Sequence, residues 1–281
     1  MTDLPRADFR SAKSRVERAI AFRNEMGALR EKERAEGTFS VSRVQRGSAI
    51  ILEASYKPAP ELEVVFGDWL ANMRAALDYL FFQLAVEDTK KNPPTRQGAR
   101  QFPIKRRVED FDAMRGSDAF HGLSERTINA VESMQPYHTK YGAEGNALLW
   151  LHDHARMDRH RAPLRMGTII KDFRAVCHPI GNIGAVSFET IDPQVTPAVV
   201  GEGEALVLAT VRCASTSDAA RLVNRVEVWI DADLEVIDWY RDSHKSGKSA
   251  NIRNDSLEDR MKFVEDYFGM VLDHFEKMLE N

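Results

Sequence analysis

Long stretches with helical periodicity alternate along the chain with shorter stretches of β-branched residues. Residues 6–36 carry apolar side chains at roughly helical spacing, which predicts a long amphipathic helix. Residues 38–57 contain two partly alternating segments on either side of Arg46-Gly47-Ser48. Such segments around a glycine turn are typical of a β-hairpin.

Residues 61–88 form the most apolar of the predicted helices. At helical spacing, one stripe of this segment is formed by Leu62, Phe66, Trp69, Met73, Leu77, Leu80 and Leu84. A second apolar patch lies opposite the stripe, which is the pattern of a central helix in a bundle. Arg74 and Asp78 lie on a seam between large apolar residues, where charges need partners because they are partly desolvated.

The C-terminal half combines further helices with a strand-like region. Residues 125–161 are predicted to be helical, with a break after residue 134 and a second helix from residue 147. From 168 to 240, several β-branched segments predict antiparallel strands, with turns at Gly181, Gly201–Gly203 and Ala232-Asp233. Residues 255–280 predict a last helix, in which Ser256-x-x-Asp259 resembles a capping box.

Together these elements predict one α+β domain over residues 1–281. Its helical core comprises the long helices at about 6–36, 61–88, 125–161 and 255–280, arranged as a bundle. An antiparallel β-rich region at about 168–240 lies in the C-terminal half, and the last helix closes the fold onto the N-terminal helices. Helices that are apolar on two sides would also permit a helix-mediated homodimer.

Composition and charge narrow the class of protein. The 281 residues are 43% hydrophobic and 29% charged, which is typical of a globular chain. The formal net charge of −4 excludes a globally basic nucleic-acid coat protein. No apolar run is long enough for a membrane span, and the N-terminus has no apolar signal region, so we expect a cytoplasmic protein without a membrane partner. Cys177 and Cys213 lack the spacing of a zinc site, and no cofactor is predicted.

One stretch is strongly basic although the whole chain is not. Residues 89–108 contain seven Lys or Arg, no acid, and the helix-breaking residues Pro93, Pro94 and Gly98. An irregular loop of this kind could follow a phosphate backbone or receive an anionic ligand, with Phe102 available for stacking. A solvated surface loop explains the same composition equally well.

The helix predicted from residue 147 concentrates titratable side chains. It contains three of the eight histidines within nine residues, namely His152, His154 and His160. Asp158 is the acid of this helix closest to its apolar stripe, so we expect it to pair with a cation, and Arg74 is the natural candidate. His154 and Asp158 are also spaced for a shared metal ion, but the surrounding arginines oppose a cation, and no metal is predicted.

These residues predict a site for an anionic, phosphate-containing ligand, either a small molecule or RNA. In a hydrolase or ribonuclease of this kind, His160 would move a proton, Asp158 would orient it, and the arginines would neutralise negative charge. The catalytic candidates are His160, Asp158 and His152, and the ligand-binding candidates are Arg74, Asp78, Arg161 and Arg156. The alternative is a non-catalytic ligand-sensing or protein-interaction module, in which the same charges form a buried structural network.

Four short motifs appear in a fixed order between residues 60 and 165. They are GDWLANMRAALDYL, QFPI, SMQPY and LHDHARMDRHR. In this order they resemble the signatures of a widespread, largely uncharacterised bacterial family. The first motif is also similar to the Arg-x4-6-His signature of HEPN ribonucleases, which would imply RNA cleavage, but Tyr79 stands in this chain where that histidine would be.

Overall fold

The computed structural model describes residues 4–140, 142–160, 164–179, 181–193, 198–246 and 255–280, with the side chains of residues 160 and 244–246 outside the description. The chain divides into two compact units. Unit 1 comprises Met1–Met26, Val64–Pro163 and Gly247–Asn281, and unit 2 comprises Gly27–Glu63 and Leu164–Ser246. The α+β fold class, with long helices, antiparallel sheets and a closing C-terminal helix, is confirmed.

The long helices fall close to the predicted ranges. The α-helices within the described residues are α1 (Arg10–Glu36), α2 (Glu61–Thr89), α3 (Val108–Asp112), α4 (Glu125–Ser133), α5 (Ala147–His160), α6 (Thr216–Leu222), α7 (Ile237–Ser246) and α8 (Leu257–Glu280). Unit 1 contains the N-terminal part of α1, most of α2, and α3, α4, α5 and α8. Ser256 caps α8 as predicted, because its Oγ accepts the Asp259 amide at 3.0 Å. In the described ranges, no helix combines the length and apolar character needed to cross a bilayer.

Helix α2 is the centre of unit 1. Every member of its predicted apolar stripe is buried, and so are residues on its other faces, such as Leu70 and Phe81. The buried carboxylate of Glu265 on α8 accepts a hydrogen bond from Trp69 Nε1 at 2.8 Å and one from Arg23 Nε on α1 at 2.9 Å. Helices α1, α2 and α8 therefore meet at one buried charged group as well as through apolar packing.

Unit 2 is built from two antiparallel sheets that share a core. Its strands are β1 (Phe39–Arg46), β2 (Ala49–Tyr56), β3 (Met166–Cys177), β4 (Val186–Thr190), β5 (Val199–Gly201), β6 (Ala205–Cys213) and β7 (Val226–Val236). One sheet has the order β1-β2-β6-β4 and the other β5-β3-β7. The predicted hairpin is β1-β2, and Gly47 in its turn adopts a φ of +61°. Buried side chains of β2, β3, β5, β6 and β7 contribute to the same hydrophobic core, as in a sandwich.

Two predictions in the C-terminal half were wrong. Ala232-Asp233 is not a turn but lies inside β7, where these residues pair with Ile170 and Ile169 of β3. Lys171 of β3 forms an ion pair with Asp233, which explains how an acidic residue is accommodated there. The segment after β7 is also not a strand, because the backbone becomes helical at Ile237 and begins α7.

Candidate anion-binding site

Arg74 and Asp78, one turn apart on α2, hold a third residue by its main chain. Arg74 Nη2 lies 2.9 Å from Asp78 Oδ1 and donates to the carbonyl oxygen of Phe102 at 2.7 Å. The Phe102 amide donates to Asp78 Oδ1 at 2.9 Å. Arg74 is only 5% exposed, and burial lowers its pKa, whereas burial raises the pKa of Asp78 against the opposing charge of Arg74. The expectation that Arg74 would pair with Asp158 was wrong, because its guanidinium binds Asp78 and the Phe102 carbonyl oxygen instead.

A buried glutamine also binds the main chain of the segment Phe102–Lys105. Gln135 Nε2 donates to the Pro103 carbonyl oxygen at 2.9 Å, and Gln135 Oε1 accepts the Lys105 amide at 2.9 Å. The next residue, Arg106, forms ion pairs with Glu144 and with Asp153 of α5. The segment therefore runs from α2 to α5 along a fixed path, and it brings Lys105 to α5.

Most other cations of the basic loop already have partners. Arg100 is buried and donates to the carbonyl oxygens of Thr95, Ala119 and His121, and Phe102 is buried against Phe81. Phe102 is therefore not available for stacking, contrary to expectation. The further ion pairs of this loop are Lys90–Glu87, Arg96–Asp118 and Arg107–Asp110. In the part of the chain that the structure describes, Lys91 and Lys105 are the cations of this loop whose side chains have neither an ion pair nor a hydrogen bond.

Helix α5 presents a cationic face beside Lys105. His152, Arg156 and Arg159 are spaced i, i+4 and i+7, so they share one side of the helix. Burial and, after it, the charges of Arg74, Arg156, Arg159 and Lys105 together lower the pKa of His152 to about 4. We call these four cations around His152 the α5 cation cluster.

Two polar atoms at this cluster are enclosed without a hydrogen-bond partner among the described residues. They are Nη1 of Arg74 and Nδ1 of His152. A buried unpaired polar atom costs about 1–3 kcal/mol, so its presence calls for a physical explanation. The carboxylates of Asp78 and Asp153 do not bind these two atoms, because Asp78 is bound by Arg74 Nη2 and the Phe102 amide, and Asp153 is bound by Arg106. Positive charge is therefore in excess at the cluster.

Asp158 lies at the edge of this region, packed against a glycine of α2. A Cβ placed on Gly67 would stand 3.0 and 3.1 Å from the two carboxylate oxygens of Asp158. Only a residue without a side chain at position 67 lets the carboxylate approach α2 this closely. Burial and the charge of Asp68 raise the pKa of Asp158, while Arg159 opposes that rise.

The remaining predicted residues of α5 have different positions. His154 is wholly buried, its Nδ1 lies 2.7 Å from the Trp150 carbonyl oxygen, and its ring packs edge-on against Phe66. Burial lowers the pKa of His154 to about 4. Among residues that the structure describes, no group of three or more His, Cys, Asp or Glu side chains is placed to hold a metal ion. The side chain of His160 and all of Arg161 lie outside the described residues.

Sequence reasoning missed two residues that build this site, because Gln135 fixes the path of Phe102–Lys105 and Gly67 admits Asp158. Lys105 and Arg159, which contribute charge, were recognised only as members of basic stretches. Gly67 and Gln135 belong to the motifs GDWLANMR and SMQPY, so their presence there was the available signal. Their contacts depend on residues far away in the chain, which helical periodicity does not reveal.

Comparisons with protein-family models, with curated proteins and with solved structures gave no match. The resemblance to a bacterial family therefore stays a prediction.

Proposed function

We propose that this protein binds a phosphate-containing anion at the α5 cation cluster. The observation that carries the proposal is the excess of positive charge around two enclosed, unpartnered atoms, Arg74 Nη1 and His152 Nδ1. Arg74 is held in place by Asp78 and Phe102, so its charge is fixed in position before any ligand arrives. This fixed charge, together with the exposed guanidinium groups of Arg156 and Arg159, favours an anion that accepts several hydrogen bonds at once.

The number of cations favours phosphate over a single carboxylate. Arg156 and Arg159 are exposed, and neither forms an ion pair with any described residue, so both are available to a ligand. Arg74 and Lys105 add two further charges from other elements of unit 1. A multivalent anion gains from all four cations, whereas a monoanion leaves most of this charge uncompensated. In a cytoplasmic protein, the candidate ligands are small phosphate-containing molecules or RNA.

Binding can be measured by calorimetry with inorganic phosphate, pyrophosphate and a short single-stranded RNA as probes. We expect the double variant Arg156→Gln/Arg159→Gln to weaken binding at least tenfold, because two charges are lost without disturbing a buried contact. The matched control is Arg126→Gln, which removes an exposed arginine from α4. Equal affinities for the double variant and the control, or no saturable binding of any probe, would overturn the proposal.

We further propose that the bound ligand is hydrolysed, with Asp158 as the acid. The observation that favours this reaction is the raised pKa of Asp158, caused by burial and by Asp68, beside Arg159 of the cluster. Phosphate release and RNA cleavage should both be assayed in Asp158→Asn and His160→Ala, with folding checked by circular dichroism. An inactive parent protein would leave binding without catalysis, whereas variants that retain full activity would overturn the roles of Asp158 and His160.

A second candidate function is a non-catalytic ligand-sensing or protein-interaction module. The contacts of Arg74, Asp78 and Gln135 with the main chain of Phe102–Lys105 favour it, because these polar residues are already used to hold the fold. In that case, binding of the anion would persist in Asp158→Asn, and no product would form at any pH.

A further inference from the structure

His152 lies among charges from three parts of unit 1. The cations that act on it are Arg74 of α2, Lys105 of the segment Phe102–Lys105, and Arg156 and Arg159 of α5. The carboxylates beside these groups are Asp78, which pairs with Arg74, and Asp153, the next residue of α5. Asp78 and Asp153 are engaged by arginines, so the net field at the imidazole is positive. The enclosed Nδ1 has no hydrogen-bond partner within the described ranges.

This arrangement makes the charge state of His152 depend on what occupies the cluster. When no anion is bound, the four cations and partial burial oppose protonation of the imidazole, whose pKa is lowered to about 4. A dianion among the same cations offsets part of the positive field at the imidazole, which raises its affinity for a proton. It also offers oxygen acceptors, and an imidazolium carries a donor on both ring nitrogens, whereas neutral imidazole carries only one.

We infer that the α5 cation cluster takes up its dianion together with a proton, which is transferred from solution to His152. This inference rests on the proposed anion-binding function and deepens it, because it makes the affinity of the site dependent on pH. No covalent bond forms or breaks, and the proton comes from the buffer. By linkage, a site that gains up to one proton on binding gains up to tenfold in affinity for each unit by which pH falls.

Sulfate is the best first probe because it remains dianionic between pH 5 and 8, whereas phosphate monoesters lose a charge near pH 6. Calorimetry at pH 7 in buffers of different ionisation enthalpy measures the number of protons taken up for each sulfate bound. For the parent protein we expect a clear positive value of up to one proton, and tighter binding at pH 6 than at pH 7.

The deciding variant is His152→Asn, which keeps a polar side chain of similar size and all four cations. We expect it to bind sulfate more weakly and with proton uptake close to zero. The matched control, His138→Asn, changes an exposed histidine in the same unit and should leave proton uptake as in the parent. If His152→Asn fails to fold, the titration of the His152 Cε1 proton resonance, with and without sulfate, tests the same point.

Failure of this inference is distinguishable from failure of the proposed function. Sulfate binding without proton uptake, or with equal uptake in His152→Asn, overturns the role of His152 while anion binding stands. In the second case the proton is taken up by another group, such as Asp78 or Asp153. If neither sulfate nor phosphate binds, both the inference and the proposed function are overturned.

Discussion

Replacing Arg74 by Met tests how Phe102–Lys105 is held in place. Methionine keeps much of the length and apolar character of the side chain but removes the guanidinium. The change abolishes a charge-assisted hydrogen bond to the Phe102 carbonyl oxygen, worth roughly 1.5–3 kcal/mol, and leaves that oxygen without this donor. It also leaves the carboxylate of Asp78 without its cation.

The magnitude follows from the burial of the two partners. Breaking a fully buried ion pair costs about 3–5 kcal/mol, because the remaining charge is desolvated and unpaired. The Arg74 side chain is 6% exposed, but that of Asp78 is 27% exposed, so Asp78 recovers some hydration. We therefore expect the free energy of unfolding to fall by about 3 kcal/mol, at the lower end of that range.

Urea unfolding, followed by far-ultraviolet circular dichroism, gives the change in free energy, and hydrogen exchange gives its location. The Phe102 amide should exchange faster in Arg74→Met because its acceptor, Asp78, is no longer held. Arg126→Met is the control for loss of an exposed arginine, and we expect a change within about 0.5 kcal/mol. If Arg74→Met unfolds like this control and the exchange of Phe102 is unchanged, the buried pairing of Arg74 does not stabilise the segment.

Three further predictions concern other positions. Gly67→Ala should destabilise the protein by about 1 kcal/mol, because the new methyl group clashes with Asp158. In an Asp158→Ala background the same change should stabilise the protein by about 0.5–1 kcal/mol, because alanine has the higher helix propensity. Urea titrations measure both values, and destabilisation in both backgrounds would contradict the clash. His152 and His154 have pKa values lowered to about 4 from an ordinary 6.5, so the unfolded chain binds more protons than the folded chain between these two pH values. The stabilising contribution of the two neutral histidines should therefore be complete above pH 6.5 and fall as the pH drops towards 4. Thermal unfolding at pH 7, 6 and 5 measures this, and a smaller pH dependence in His152→Asn is expected. Gly167→Ala should lower the free energy of unfolding by at least about 2 kcal/mol, since its Cβ would stand 2.7 Å from a backbone oxygen of β5, and an unchanged urea midpoint would contradict that packing.

The elements that could be predicted from sequence are those in which local pattern and burial agree. Helix α2 is an example, because its apolar stripe is buried as the spacing indicates. β7 was misjudged because the acidic residues around Ala232 resemble a turn, whereas pairing with β3 and the ion pair with Lys171 stabilise them in a strand. Local composition carries no information about such a partner some sixty residues away.

The site shows the same division between local and long-range information. The sequence indicated that Arg74 and Asp78 needed partners, and both are engaged in the structure. The sequence pointed to Asp158 as the partner of Arg74, which was wrong. The actual partner includes the main-chain oxygen of Phe102, and no sequence pattern identifies a main-chain oxygen as a partner. Side chains that bind main-chain atoms cannot be paired by residue type alone, which is why Gln135 was also missed.

The main-chain contacts of Phe102–Lys105 have an evolutionary consequence. Arg74, Asp78 and Gln135 bind main-chain amides and carbonyls, and every residue type other than proline supplies both groups. The identity of these three side chains is therefore more constrained than the identity of the residues they bind. In related chains, the amino acid at the exposed neighbouring position, Gln101, should vary freely. Arg74, Asp78 and Gln135 should be retained or replaced together, since losing one leaves polar atoms of the others or of the segment without hydrogen-bond partners.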